Sequence, residues 1–162
     1  MDAAARKEQA PEVALATLRR VLIAVFLFGL LGTGVELLLL EHTDGIWQLA
    51  PLLVVGMSFL VLGWYGVARS ASALRVFQGT MILFLLSGAA GLLLHFKGNV
   101  EFELEMYPSR SGTELFWEAM KGATPALSPG TMLLLGLLGL AYTYRHPALI
   151  GAAKDNPRNN GD

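Results

Sequence analysis

Two histidines and a scatter of carboxylates carry whatever chemistry this chain could perform. His42 follows Glu41 where the first leucine-rich run ends, and His95 closes the third run as "LLLHF". Glu36 stands inside the first run. Glu101, Glu103 and Glu105 alternate with apolar residues in "VEFELEM", just beyond His95. Imidazole nitrogens combined with carboxylate oxygens suit zinc, copper(II), iron or manganese. His42, His95, Glu36, Glu101, Glu103 and Glu105 are therefore the candidate metal ligands, and the two imidazoles could instead bridge a haem iron. Their spacing matches no established ligand motif, so the sequence by itself requires no cofactor. The competing reading is structural: the histidines are polar ends of apolar segments, and the glutamates face water.

Glu36 raises a separate question. Five residues before Glu41, it lies about 7 Å below it at about 1.5 Å per helical residue. A carboxylate at that depth is costly unless it is neutral, paired or hydrated, which makes it a candidate for proton or cation relay. The plainer expectation is an ion pair or a snorkelling side chain, with His95, Lys97 or Thr33 as partner.

Other chemistries are excluded more sharply. There is no cysteine, hence no disulfide, thiolate metal site or thiol redox centre. No glycine-rich phosphate loop, His-Glu-x-x-His motif or serine elbow occurs. A net charge of −1 gives no basic footprint for nucleic acid.

The elements that must position these residues are membrane spans. Of the 162 residues, 54% are hydrophobic and 15% charged, with a mean hydropathy of +0.51. Soluble domains carry about 25% charged residues. Four apolar runs, at approximately 21–40, 51–68, 76–94 and 129–144, approach the ~20 residues that cross ~30 Å of hydrocarbon. The fourth is the shortest. Acidic residues ahead of the first run, and the lack of an Ala-x-Ala site after it, make it an expected span rather than a cleaved leader.

Cation placement sets the expected orientation. Arg6, Lys7, Arg19, Arg20, Arg69, Arg75, Arg145, Lys154 and Arg158 all fall on one side of an even number of spans. Only Lys97, Arg110 and Lys121 fall on the other. By the positive-inside rule both termini are cytoplasmic. Trp64, Tyr65, Tyr142 and Tyr144 at one set of span ends, with Trp47 and Trp117 at the other, are expected interfacial anchors.

Small residues mark expected helix contacts: Gly29 and Gly32, Ser87 and Gly91, Gly136 and Gly139. The expected architecture is an all-α four-transmembrane-helix bundle forming a single membrane domain over 21–146. Residues 1–20 are a cytoplasmic tail, and residues 147–162 a disordered cytoplasmic tail.

The outer loop, 96–128, has two parts. The strict alternation over 100–106 predicts a short extended segment, with Val100, Phe102, Leu104 and Met106 on one face and the glutamates on the other. "SGTE" at 111–114 matches a capping box, and Lys121-Gly122 a stop, predicting a short interfacial helix. Ser128-Pro129 should open the fourth span.

The expected function is that of a small bacterial inner-membrane protein, a non-catalytic accessory, assembly or scaffold subunit. Its expected partners are the lipid bilayer and a larger membrane complex or further copies of itself. The alternative is a metal- or cation-binding membrane protein using the two histidines and the clustered carboxylates.

Overall fold

A computed structural model describes residues 3–122, 124 and 126–154. Among them the regular structure is wholly α-helical: α1 Ala3–Leu39, α2 Ile46–Ala68, α3 Ala71–Met106, α4 Gly112–Lys121, α5 Gly130–Thr143 and α6 Pro147–Lys154. Three segments are long and apolar enough to cross a membrane: Pro11–Leu39, Ile46–Ala68 and Ala71–Met106. The 14 residues of α5 extend only about 21 Å, short of about 30 Å of hydrocarbon.

Chain reversals are tight where the local chemistry allows it. Arg69 ends α2 in the left-handed conformation (φ 49°), donating its backbone N–H to the Tyr65 carbonyl at 2.9 Å. The next residue, Ser70, caps α3 by accepting from the Ala73 N–H at 3.2 Å. Two residues thus turn one long helix into its antiparallel neighbour. Between α1 and α2 the turn passes through Gly45 at φ 92°, a conformation glycine adopts without a Cβ penalty.

The central helix is α3, which packs against α2, α4, α5 and α6, while α1 packs against α5 and more lightly against α2. Phe26 meets the edges of Phe77 and Phe84 at centroid distances of 5.5 and 6.3 Å. Leu30, Leu74 and Met81 fill the space around these rings and are fully buried.

Close backbone approach explains how a helix as short as α5 is held. A Cβ on Gly88 would lie 2.9 Å from the Leu133 backbone nitrogen, and one on Gly91 2.8 Å from Pro129. From the other side, a Cβ on Gly136 would lie 3.0 Å from the Met81 carbonyl oxygen, and one on Gly139 would run into the Met81 side chain. Gly29 of α1 accommodates Leu135. The expected contact glycines Gly29, Gly91, Gly136 and Gly139 are all used; Gly88 takes the place expected of Ser87. Gly32 meets nothing within 4 Å.

Two expectations are corrected. The extended segment over 100–106 does not form, because α3 continues without a break to Met106. Glutamate and leucine are good helix formers, and no second strand is present among the described residues to satisfy an extended backbone. The 36 residues of α3 reach roughly 54 Å, so the helix runs well beyond the ~30 Å of hydrocarbon it can cross. The chain also does not become irregular at Pro147, since α6 forms there and packs back on α3. At the other terminus helix begins at Ala3, inside the expected tail. The remainder of the expected disordered segment, 155–162, lies outside the described residues.

Candidate functional site

Helix ends gather the polar residues into two groups. One lies where α1 meets α2 and where α3 turns into α4. Here α4 folds back along the projecting part of α3, and the two make a helical hairpin. Arg110, at its tip, pairs with Glu103 and donates to Glu114 at 3.1 Å while lying over the Tyr107 ring at 4.1 Å. Burial works against the Arg110 charge, but Glu103 and Glu114 together hold its pKa above the ordinary arginine value. The capping box does not form in the expected way. Ser111 is the N-cap without a side-chain hydrogen bond, and Glu114 serves Arg110 instead.

At the base of the hairpin stands Asn99, almost fully buried. Its Nδ2 donates to the carbonyls of Ala119 at 2.8 Å and Thr124 at 2.6 Å, and its Oδ1 accepts from the Thr124 N–H at 3.3 Å. One side chain therefore ties α3 to the end of α4 and to the connection that follows. Gly122 is required for this. A Cβ there would lie 2.6 Å from the Asn99 carboxamide carbon. Its φ of −55° shows that space, not backbone conformation, selects glycine.

The six candidate ligands divide. His42 is half-buried in the turn after α1, and it lies within electrostatic reach of His95. Burial first, and then the neighbouring His95, lower the His42 pKa below the ordinary histidine value. The carboxylates do not join this pair. Glu103 is held by Arg110, Glu101 pairs with Lys97 at 3.4 Å, and Glu105 is exposed one turn beyond Glu101. Glu36 is exposed on α1 and forms no ion pair among the described residues, with Lys97 engaged elsewhere. Among the described residues no three side chains of His, Cys, Asp or Glu gather as a metal site. Helical periodicity is the reason. Residues 101 and 105 share a face, while 103 points almost oppositely.

The second group lies at the opposite helix ends, where α2 turns into α3 and α5 into α6. Tyr65 and Tyr142 were expected only to anchor an interface, and His146 stands just beyond α5. They pack together instead. His146 lies edge-on to Tyr65 with ring centroids 5.8 Å apart and tilts against Tyr142 at 5.6 Å. The His146 Nδ1 accepts from the Ala148 N–H at 3.3 Å. A neutral ring then carries its proton on Nε2, which donates to the Tyr65 hydroxyl at 3.3 Å. Burial, and then the Arg19 charge, lower the His146 pKa. Arg19 donates to the Arg145 carbonyl at 3.0 Å, and the Arg69 guanidinium sits over the Tyr65 ring at 5.6 Å.

No protein family, curated protein or solved structure matches the chain.

Sequence reading missed Asn99 and the Tyr65–Tyr142–His146 cluster. A faint signal existed for Asn99, an amide on an otherwise apolar and acidic stretch. The cluster joins residues 81 positions apart, Tyr65 and His146, and no local pattern announces it.

Proposed function

We propose that the protein is a non-catalytic accessory, assembly or scaffold subunit of a larger complex in a bacterial cytoplasmic membrane. In this reading α1, α2, α3 and α5 form a four-helix bundle with both termini cytoplasmic. The observation that carries the proposal is a glycine-lined helix face with nothing against it. Gly56, Gly63 and Gly66 of α2 are exposed, and a Cβ at any of them would meet no atom within 4 Å. Gly32 of α1 and Gly79 of α3 are equally open. Inside this fold, glycines mark the places where helices approach closely. Lipid exerts no hydrophobic drive between helices, so small residues at a membrane-facing surface favour contact with another helix. Glycine is also a poor helix former, costing about 0.8–1.0 kcal/mol relative to alanine, so its repeated use on an open face calls for a packing reason.

The dispersal of the carboxylates supports the same reading. Lys97, Arg110 and Lys121 each pair with glutamates of their own hairpin, which leaves a braced surface rather than a reactive constellation. The orientation is supported by Arg19, Arg20, Arg69, Arg75 and Arg145, which flank the apolar segments on the side opposite the α3–α4 hairpin.

Native mass spectrometry after gentle extraction from the host membrane tests the proposal. Additional polypeptides should accompany the chain, and Gly56→Leu with Gly63→Leu should release them. A lone chain, or a homo-oligomer carrying extra metal or haem mass, overturns the subunit reading and returns attention to His42 and His95.

A further inference from the structure

Arg19 and Arg69 flank the Tyr65–Tyr142–His146 cluster, a placement that the subunit reading does not use. Arg19 of α1 is half-buried, and Arg69 is the turn residue after α2. They come from different helices, yet both lie within electrostatic reach of Tyr142. Each is held in place by something other than a carboxylate. Arg19 is fixed by the Arg145 carbonyl, and Arg69 by the face of Tyr65. Neither forms an ion pair among the described residues, whereas all the ion pairs present there belong to the opposite helix ends.

An anion shared by the two guanidinium groups would offset the positive charge that each brings to the same aromatic cluster. A guanidinium has five N–H donors, so Arg19 retains donors after its bond to Arg145. Arg69 occupies a left-handed position where glycine would carry no penalty, which points to a use for its side chain. Arg69 directly follows α2, and Arg19 lies within α1 just ahead of the apolar stretch that begins at Val21, so both flank apolar segments, where lipid phosphates lie. Arginine matches phosphate oxygens through its planar fork, and basic pockets between helices at a membrane surface hold anionic headgroups.

We propose that Arg19 and Arg69, seated on the Tyr65–Tyr142–His146 cluster, bind the phosphodiester of one anionic phospholipid.

The test uses the full chain in detergent, incubated separately with dioleoylphosphatidylglycerol and dioleoylphosphatidylcholine, with bound lipid counted by native mass spectrometry. One phosphatidylglycerol should be retained in preference to phosphatidylcholine. Arg19→Gln with Arg69→Gln should weaken that binding roughly tenfold or more, at a contribution of about 1 kcal/mol per arginine near a membrane surface. Arg20→Gln with Arg75→Gln removes the same charge from exposed positions and should leave it unchanged. The single Arg69→Gln change, at an exposed side chain, should act in the same direction with an unaltered thermal transition. Equal retention of the two lipids, or equal loss in both double variants, overturns the site. Displacement of phosphatidylglycerol by millimolar inorganic phosphate overturns the lipid as its source and assigns the site to free phosphate.

Discussion

Asn99 concentrates the polar stability of the projecting hairpin in one side chain. Its amide satisfies backbone groups of Ala119 and Thr124 that burial would otherwise leave unpaired. Asn99→Ala should cost about 1–3 kcal/mol. It should also open the α4–α5 connection to protease before the long helices unfold, and limited proteolysis in detergent reads this directly. Unchanged cleavage there would show that the hairpin is held by apolar packing alone. His146 gives a prediction of a different kind. Its folded pKa lies below the ordinary value of ~6.5, so below that pH the unfolded chain binds more protons than the folded one. Stability therefore rises with pH in this window and falls on acidification. Protonating Nδ1 would also break the bond from Ala148. The thermal transition in detergent should drop between pH 7 and pH 5, and His146→Gln should reduce the drop. What remains should trace to His42, whose pKa is lowered as well. Of these residues the sequence singled out His42, at the end of an apolar run. It did not disclose which imidazole would meet which neighbour, because those contacts depend on how helices distant in sequence rotate against one another.

At the scale of elements, the most informative interface is α3 against α5. Gly88→Ala would drive a Cβ toward the Leu133 backbone nitrogen, which cannot swing aside as a side-chain tip can. Overpacking of this kind costs about 1–3 kcal/mol. Gly32→Ala, where nothing lies within 4 Å, should be neutral or stabilising in the isolated chain. Thermal unfolding of the two variants side by side checks the contrast, and equal effects would mean that the α3–α5 approach does not depend on glycine. The existence of these helices was legible from hydropathy, and most of the contact glycines from their spacing. The projecting end of α3 was not. Alternation of acid and apolar residues over 100–106 resembles a strand in sequence, but Glu103 and Asn99 each find a tertiary partner on or near the returning α4 only if the helix continues. Tertiary contacts and the helix propensity of glutamate and leucine together overrode the local alternation. The capping box at Ser111 marked the start of α4 correctly, although Arg110 took the glutamate that the box would have used.

For the whole molecule, the asymmetry between its two sets of helix ends invites the strongest test. One set carries arginines from α1 and from the junctions after α2 and α5, with no carboxylate paired to them among the described residues; the other carries cations bonded to glutamates of the same hairpin. The positive-inside rule counts Lys and Arg near the span ends, with acidic residues contributing little, and Arg19, Arg20, Arg69, Arg75 and Arg145 outnumber Lys97, Arg110 and Lys121. The arginine ends should therefore face the cytoplasm and the α3–α4 hairpin the opposite side. The chain has no cysteine, so a single introduced cysteine is a unique label. Ser109→Cys lies at the exposed tip of the hairpin, and Ser72→Cys on an exposed position of the first turn of α3. In intact cells with the outer envelope made permeable, a membrane-impermeant maleimide should modify the first variant and leave the second untouched until the inner membrane is broken. The reverse pattern would invert the topology and place the arginine ends against the outer leaflet. Labelling of both in intact cells would mean that the segment between them does not cross the bilayer. That last result would remove the membrane from the account of α3, and with it the reason a helix of 36 residues carries leucine over its first two-thirds and glutamate over its end.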